Sequence, residues 1–179
     1  MTYFFNKKIL FLTLFFGCFF IQSNLLLAQE EEATKTLPNL HLTNLKGDTI
    51  AIQNLAQSGK ITILKFWSAW TAQHCKPCEL DMKSTAKLQK IWKENNKKVN
   101  LITISTDKGR NAAQLVKTFL ETHQWNFEVL LDTEEGLQKA LNLTDFVPCI
   151  VMFGEEGEII YESFKSKEDY KVVLEQLLK

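Results

Sequence analysis

This chain carries no net charge. Its 21 basic residues balance 21 acidic ones over 179 positions. A nucleic-acid interface or a basic membrane patch needs an excess of lysine and arginine, so neither has an electrostatic case here. Histidine is scarce, with 3 in the chain, and His41 and His123 stand alone. A structural zinc site would want two Cys/His pairs at comparable spacing, and the second pair is missing. Internal repeats and low-complexity tracts are absent as well. What is present is an apolar content of 45%, enough for a core, and a length that fits one domain once a leader is removed. No metal or cofactor is called for.

The N-terminus has the pattern of a secretory signal. Lys7 and Lys8 form a positive region, residues 9–21 are almost wholly apolar, and Leu25-Leu26-Leu27-Ala28 ends on a small residue. The expected organisation is a signal peptide at 1–28, a solvated linker at 29–36 containing Glu30-Glu31-Glu32, and a domain at 37–179. Leu26 is larger than usual at the −3 position. A retained membrane anchor is the rival, although the apolar run is short for a span and meets Gln22, Ser23 and Asn24. A lipid-modified Cys18 is disfavoured by Phe15 and Phe16 before it. Loss of the leader removes Cys18 and leaves Cys75, Cys78 and Cys149, an odd count that suggests one working pair and one spare thiol.

Cys75-Lys76-Pro77-Cys78 follows an apolar run at 61–67 and precedes a segment of helical periodicity. A Cys-x-x-Cys at the junction of strand and helix is a redox arrangement. One cysteine attacks a disulfide, and the other, a turn later, resolves the mixed disulfide. Unpaired N–H groups at a helix N-terminus favour the thiolate, and Lys76 and a protonated His74 would add positive charge. Pro77 fits the first turn, where its missing N–H is no loss. Cys75 is the expected nucleophile and Cys78 the resolving thiol. An inert structural disulfide and half of a zinc site are the alternatives.

Periodicity places a hairpin around Asn44-Leu45-Lys46-Gly47-Asp48, strands at 61–66, 99–105 and 127–131, and a second hairpin across Gly154-Glu155-Glu156-Gly157. Helices are expected after Cys78 with Leu80, Ser84, Leu88, Ile91 and Trp92 on the core face, ending at Asn95 and Asn96. Others are expected through Ala112, Val116 and Phe119, at 134–141, and through Tyr170, Val173, Leu174 and Leu177. Alternating strands and helices argue an α/β sandwich around one sheet. Trp67, Trp92 and Trp125 read as packing residues. Trp70, just before the active-site loop, is the exception.

These residues in this order resemble the thioredoxin fold, and within it the exported TlpA/ResA-like thiol-disulfide oxidoreductases, relatives of the AhpC/TSA group. The likeness rests on Leu37-Pro38-Asn39-Leu40 with the Gly47 hairpin, Phe66-Trp67-Ser68-Ala69-Trp70, the Cys-x-Pro-Cys element, Asp81, Asp107, Val147-Pro148 and Gly157. It implies a thioredoxin-like three-layer α/β/α sandwich with an N-terminal β-hairpin extension. It also implies a cis bond before Pro148, facing the cysteines, with an extended client segment pairing to the backbone at Val147 and touching Trp70. The implied activity is reduction of protein disulfides in the periplasm or cell envelope, with cytochrome c maturation as a family setting. Its implied partners are disulfide-containing clients and a membrane-bound dithiol donor.

Four departures from the family pattern stand out. Thr71-Ala72-Gln73-His74 separate Trp70 from Cys75, where relatives have none. A longer loop is the favoured placement, because cysteines one turn inside a helix would put Pro77 in its interior at a cost of ~3 kcal/mol. In that loop His74 is either an acid–base group beside Cys75 or a histidine without a role. Lys65 replaces the acid of thioredoxins, either charging the site from below or extending its head to solvent. Lys83 replaces a proline, which puts a helix bend in doubt. Cys149 follows Pro148, where it would either approach the active pair or pack as a small buried residue. A peroxiredoxin-like thiol peroxidase is the runner-up function, although its Pro-x-x-x-Thr/Ser-x-x-Cys pattern is not met: Thr71 lies four residues before Cys75 and no matching proline precedes it. A copper-handling protein using Cys75, Cys78 and His74 or Cys149 is the third.

Overall fold

The strand before the cysteines organises the molecule. Ile61–Trp67 (β3) is buried at every position, as a central strand covered on both faces must be. The computed structural model describes residues 36–56, 59–94, 98–143, 147–163 and 169–178. The signal and anchor expectations and the expected linker up to residue 35 therefore lie outside the described residues, as do Asn95 and Asn96, while exposed Thr36 forms an isolated antiparallel bridge with Glu158. Around β3 stand His41–Asn44 (β1), Thr49–Ala51 (β2), Val99–Ser105 (β4), Val129–Leu131 (β5), Cys149–Phe153 (β6) and Ile159–Glu162 (β7). Among the described residues they form one seven-stranded sheet in the order β2-β1-β5-β4-β3-β6-β7.

The helices are Ala69–His74 (α1), Lys76–Glu94 (α2), Ala112–His123 (α3), Gly136–Ala140 (α4) and Tyr170–Leu177 (α5). The chain steps from β3 through α2 to β4, and through α3 to β5, along parallel pairings. Two crossovers in one direction lay their helices on one face. Side chains alternate along β3, so Ile63 and Trp67 meet Met82 of α2, Phe119 of α3 and Leu174 of α5. Leu64 and Phe66 point the other way, onto Leu37, the 3-10 turn Ile52–Leu55 and Leu137 of α4. This is the expected three-layer sandwich, with the β1–β2 hairpin extending the sheet beyond β5. Gly47 takes φ +92 in that hairpin's turn, a conformation that suits glycine.

Several boundaries moved. β5 starts at Val129, not 127, and α4 occupies Gly136–Ala140 within the expected 134–141. α2 runs unbroken through Lys83, from Lys76 to Glu94. Its core face is rotated from the expected stripe. Met82 and Thr85 are buried, while Leu80 and Ile91 are each 49% exposed. At 100° per residue, Leu80 lies about 200° from Met82, so one must face solvent when the other faces the sheet. Leu88 and Trp92 do pack against the core, as do Trp67 and Trp125.

Candidate active site

The inserted residues fold as helix, correcting the expected loop. Ser68 caps α1 by accepting the Thr71 N–H at 3.0 Å. Buried Asp107, on the loop after β4, completes the cap. Its carboxylate accepts from the Ala69 N–H (2.6 Å), the Trp70 N–H (3.0 Å), the Ser68 hydroxyl (2.8 Å) and the Ser105 hydroxyl (3.0 Å). The sequence reading noted Asp107 only as a family match and missed this role. A serine before Ala-Trp-Thr was the available signal, since serine is a preferred N-cap. Asp107→Ala would strand two helix N–H groups and two buried hydroxyls. We expect a loss of about 3 kcal/mol in urea unfolding, with Asp107→Asn losing less.

α1 ends at His74, and Cys75 breaks the helix with φ −127 and ψ 99. The chain then starts again as α2. Both expected placements are thus partly met: helix begins early, yet Cys75 still occupies an N-cap position. The Cys75 carbonyl accepts the Glu79 N–H at 3.0 Å, the first bond of the new helix. Pro77 sits in its first turn, where no donor is needed. Cys75 and Cys78 are joined by a disulfide with sulfurs 2.05 Å apart, and both are half-buried. The Cys78 N–H points at the Cys75 sulfur, 3.3 Å away. In the reduced protein that N–H, with the helix dipole, favours a thiolate on Cys75.

The charged neighbours are engaged elsewhere. Lys76 bonds Glu79 at 2.6 Å, and this bond holds the Glu79 carboxyl below the usual carboxylate range. His74 bonds the Trp70 carbonyl through Nδ1 at 2.7 Å and lies against the Trp70 ring, with centroids 4.7 Å apart and planes tilted by 34°. A carbonyl only accepts, so Nδ1 carries the hydrogen. Lys65 does not reach solvent, which corrects that expectation. It lies under α2 on the same face of β3 as Ile63 and Trp67, 1% exposed, with Nζ 2.5 Å from Asp81 Oδ2. The Tyr170 ring lies 5.7 Å from the same ammonium. Burial pushes the Lys65 pKa down, and Asp81 works against that shift. Lys65 and Lys76 are each paired with a carboxylate, and the helix N-terminus adds fixed positive potential at Cys75.

The Val147–Pro148 peptide is cis, as the resemblance implies. A small cavity lined by Thr71, Cys78, Met82, Val147 and Pro148 brings this loop against the disulfide. Cys149 is not part of that gathering. It is aligned with Phe66 across β6 and β3, and its side chain belongs to the opposite core layer with Leu64 and Phe66. A site combining Cys149 with the active pair is therefore not formed, and the packing reading holds. Burial pushes the Cys149 thiol up to about 11, from 9.0. The stability this thiol contributes is fully present below pH 9.0 and is lost as pH rises through about 11. At pH 8 we expect iodoacetamide to leave Cys149 unmodified in the folded protein and to label it on unfolding, read by mass spectrometry.

An α/β sandwich with a Cys-x-x-Cys disulfide at a helix N-terminus, facing a cis-proline, defines a thioredoxin-fold thiol-disulfide oxidoreductase. The chain belongs to the AhpC/TSA family, whose model matches residues 33–162. It is 28% identical to sporulation thiol-disulfide oxidoreductase A of Bacillus subtilis over 134 residues, 74% of each chain. It is 27% identical to thiol-disulfide oxidoreductase ResA of Geobacillus kaustophilus over 144 residues, 79% of this chain and 76% of the relative. The solution structure of a thioredoxin-like protein from Porphyromonas gingivalis aligns with a TM-score of 0.61 at 29% identity, covering 79% of this chain and 88% of that one.

Proposed function

We propose that this oxidoreductase is exported and reduces disulfides in protein clients of the cell envelope. The observation that carries the direction of attack is the Cys78 N–H aimed at the Cys75 sulfur, at the start of α2. In the reduced enzyme the Cys75 thiolate attacks one sulfur of a client disulfide. That S–S bond breaks, a Cys75–client disulfide forms, and the departing client sulfur takes a proton. Deprotonated Cys78 then attacks the Cys75 sulfur, closing the protein disulfide and releasing the second client thiol. Two electrons have passed from protein to client, and a membrane-bound dithiol donor returns them by the reverse exchange. Trp70, Val147 and Pro148 form the client-facing rim, with the client backbone pairing at Val147 by strand addition. Lys65, His74 and Lys76 modulate the site, the two lysines through their carboxylate partners.

Residues 1–28 are proposed as the signal peptide, 29–36 as linker and 37–179 as the working domain. Among the described residues no helix is long and apolar enough to cross a membrane. On family analogy, cytochrome c maturation is the proposed setting. The test is insulin reduction driven by dithiothreitol. The expected result is catalysed precipitation of the insulin chains; an uncatalysed rate would overturn the reductase reading, and peroxide consumption far above that of free thiols would favour the peroxidase instead.

A further inference from the structure

The small cavity beside the disulfide does not end at Pro148. Ser68, Thr71 and Val147 line both it and a neighbouring groove of about 450 Å³. The groove runs from the Pro148 loop between α1 and the start of α4. We propose that it is a subsite for an aromatic side chain with a polar edge, tyrosine best, lying two residues from the target cysteine of an extended client. This rests on the reading of the protein as a protein-disulfide reductase and names the sequence class it prefers.

Three observations support the assignment. The first is Trp70, which is 61% exposed yet held in place. Its backbone N–H is fixed by Asp107, and its ring lies against His74 with centroids 4.7 Å apart and planes tilted by 34°. An aromatic surface ordered before binding gives contact area with little further entropy loss. The second is the division of the groove. Trp70, Leu115 and Val147 form apolar walls, while the Lys108–Glu135 ion pair and Gln138 supply polar groups. Apolar walls with a polar counterpart match an aromatic ring that carries a hydrogen-bonding group. Lys139 also reaches Glu135, at 3.4 Å, so this end of the groove carries both signs of charge. The third is reach. An extended chain rises about 3.4 Å per residue with alternate side chains on one face, so the second neighbour of the cysteine comes down on the same side about 7 Å away. The cavity at Cys78 and the groove share Ser68, Thr71 and Val147, so the groove adjoins the site on the side where that neighbour would come down.

Trp70 and Thr71, at the start of α1, form one wall of the groove.

The test uses the reduced full-length protein and short peptides whose cysteine is disulfide-bonded to thionitrobenzoate. The residue two positions from cysteine is Tyr, Phe, Leu or Gly, placed on either side. Release of thionitrobenzoate gives kcat/KM for each peptide. On one side, the Tyr peptide is expected to exceed the Gly peptide by about tenfold, as an aromatic contact of this kind supplies. Trp70→Ala should bring the Tyr-to-Gly ratio near one, and Trp70→Phe should restore part of it. Glu135→Gln should lower the Tyr-to-Phe ratio, a readout that a purely structural role for Trp70 would not move. Equal rates for Tyr and Gly in the wild type, or a preference that survives Trp70→Ala, would overturn the subsite while leaving the reductase reading intact. Failure to reduce any peptide would overturn both.

Discussion

Cys75→Ser should reduce insulin no faster than dithiothreitol alone, a loss on the order of a thousandfold or more. Cys78→Ser should fail differently. It keeps the nucleophile but lacks the thiol that releases the client, so it should accumulate as a mixed disulfide through Cys75. The asymmetry follows from the helix start. The Cys78 N–H and the dipole of the 19-residue α2 act on the Cys75 sulfur at the N-cap, while Cys78 lies within the first turn. Non-reducing gels of each variant incubated with oxidised client check this. Trapping by Cys75→Ser in place of Cys78→Ser would reverse the assignment of roles.

The second large effect concerns stability. Asp81→Ala should cost about 3 kcal/mol, because it leaves the Lys65 ammonium buried without a partner. The low end of the range for buried pairs applies, since the Asp81 side chain is 31% exposed and partly hydrated. Lys65→Met should cost clearly less than Asp81→Ala, because the charge it leaves unpaired, Asp81, is 31% exposed whereas the Lys65 ammonium is buried. The pH dependence has a definite sign. In the variant, unpartnered Lys65 has its pKa lowered further by burial, so the folded state binds fewer protons than the unfolded state up to pH 10.5. The deficit of Asp81→Ala against wild type should therefore narrow as pH rises toward that value. Urea unfolding from pH 6 to 10 checks both points. An equal and large loss in Lys65→Met would mean that the ammonium itself stabilises the fold.

The parts of this molecule that sequence disclosed are those encoded locally. The unbroken apolar run of β3, the Cys-x-x-Cys and the turn glycines each act within a few residues, and each could be placed in advance. The resemblance added the cis bond at Pro148, which no local pattern of this chain fixes. The parts that were missed are tertiary. Thr71-Ala72-Gln73-His74 is too short to show a period, and its helix is held by Asp107, 38 residues from Ala69. The Lys65–Asp81 pair joins a strand to a helix, and neither residue announces the other. α2 was misread because Leu80 and Ile91 suggested an apolar stripe. Its actual buried face is set by Met82 and Thr85 beneath the cysteines, where a hydroxyl is accommodated by bonding to the Asp81 carbonyl at 2.9 Å.

The central claim is that Cys75 alone is the activated thiol. Alkylation of the reduced protein with iodoacetamide, followed over pH 4 to 10 and mapped by mass spectrometry, tests it most directly. The account predicts a single modified residue, Cys75, titrating well below the ordinary cysteine value of about 8.5, with Cys149 unmodified while the fold persists. First labelling at Cys78, or a Cys75 profile centred at or above 8.5, would contradict it.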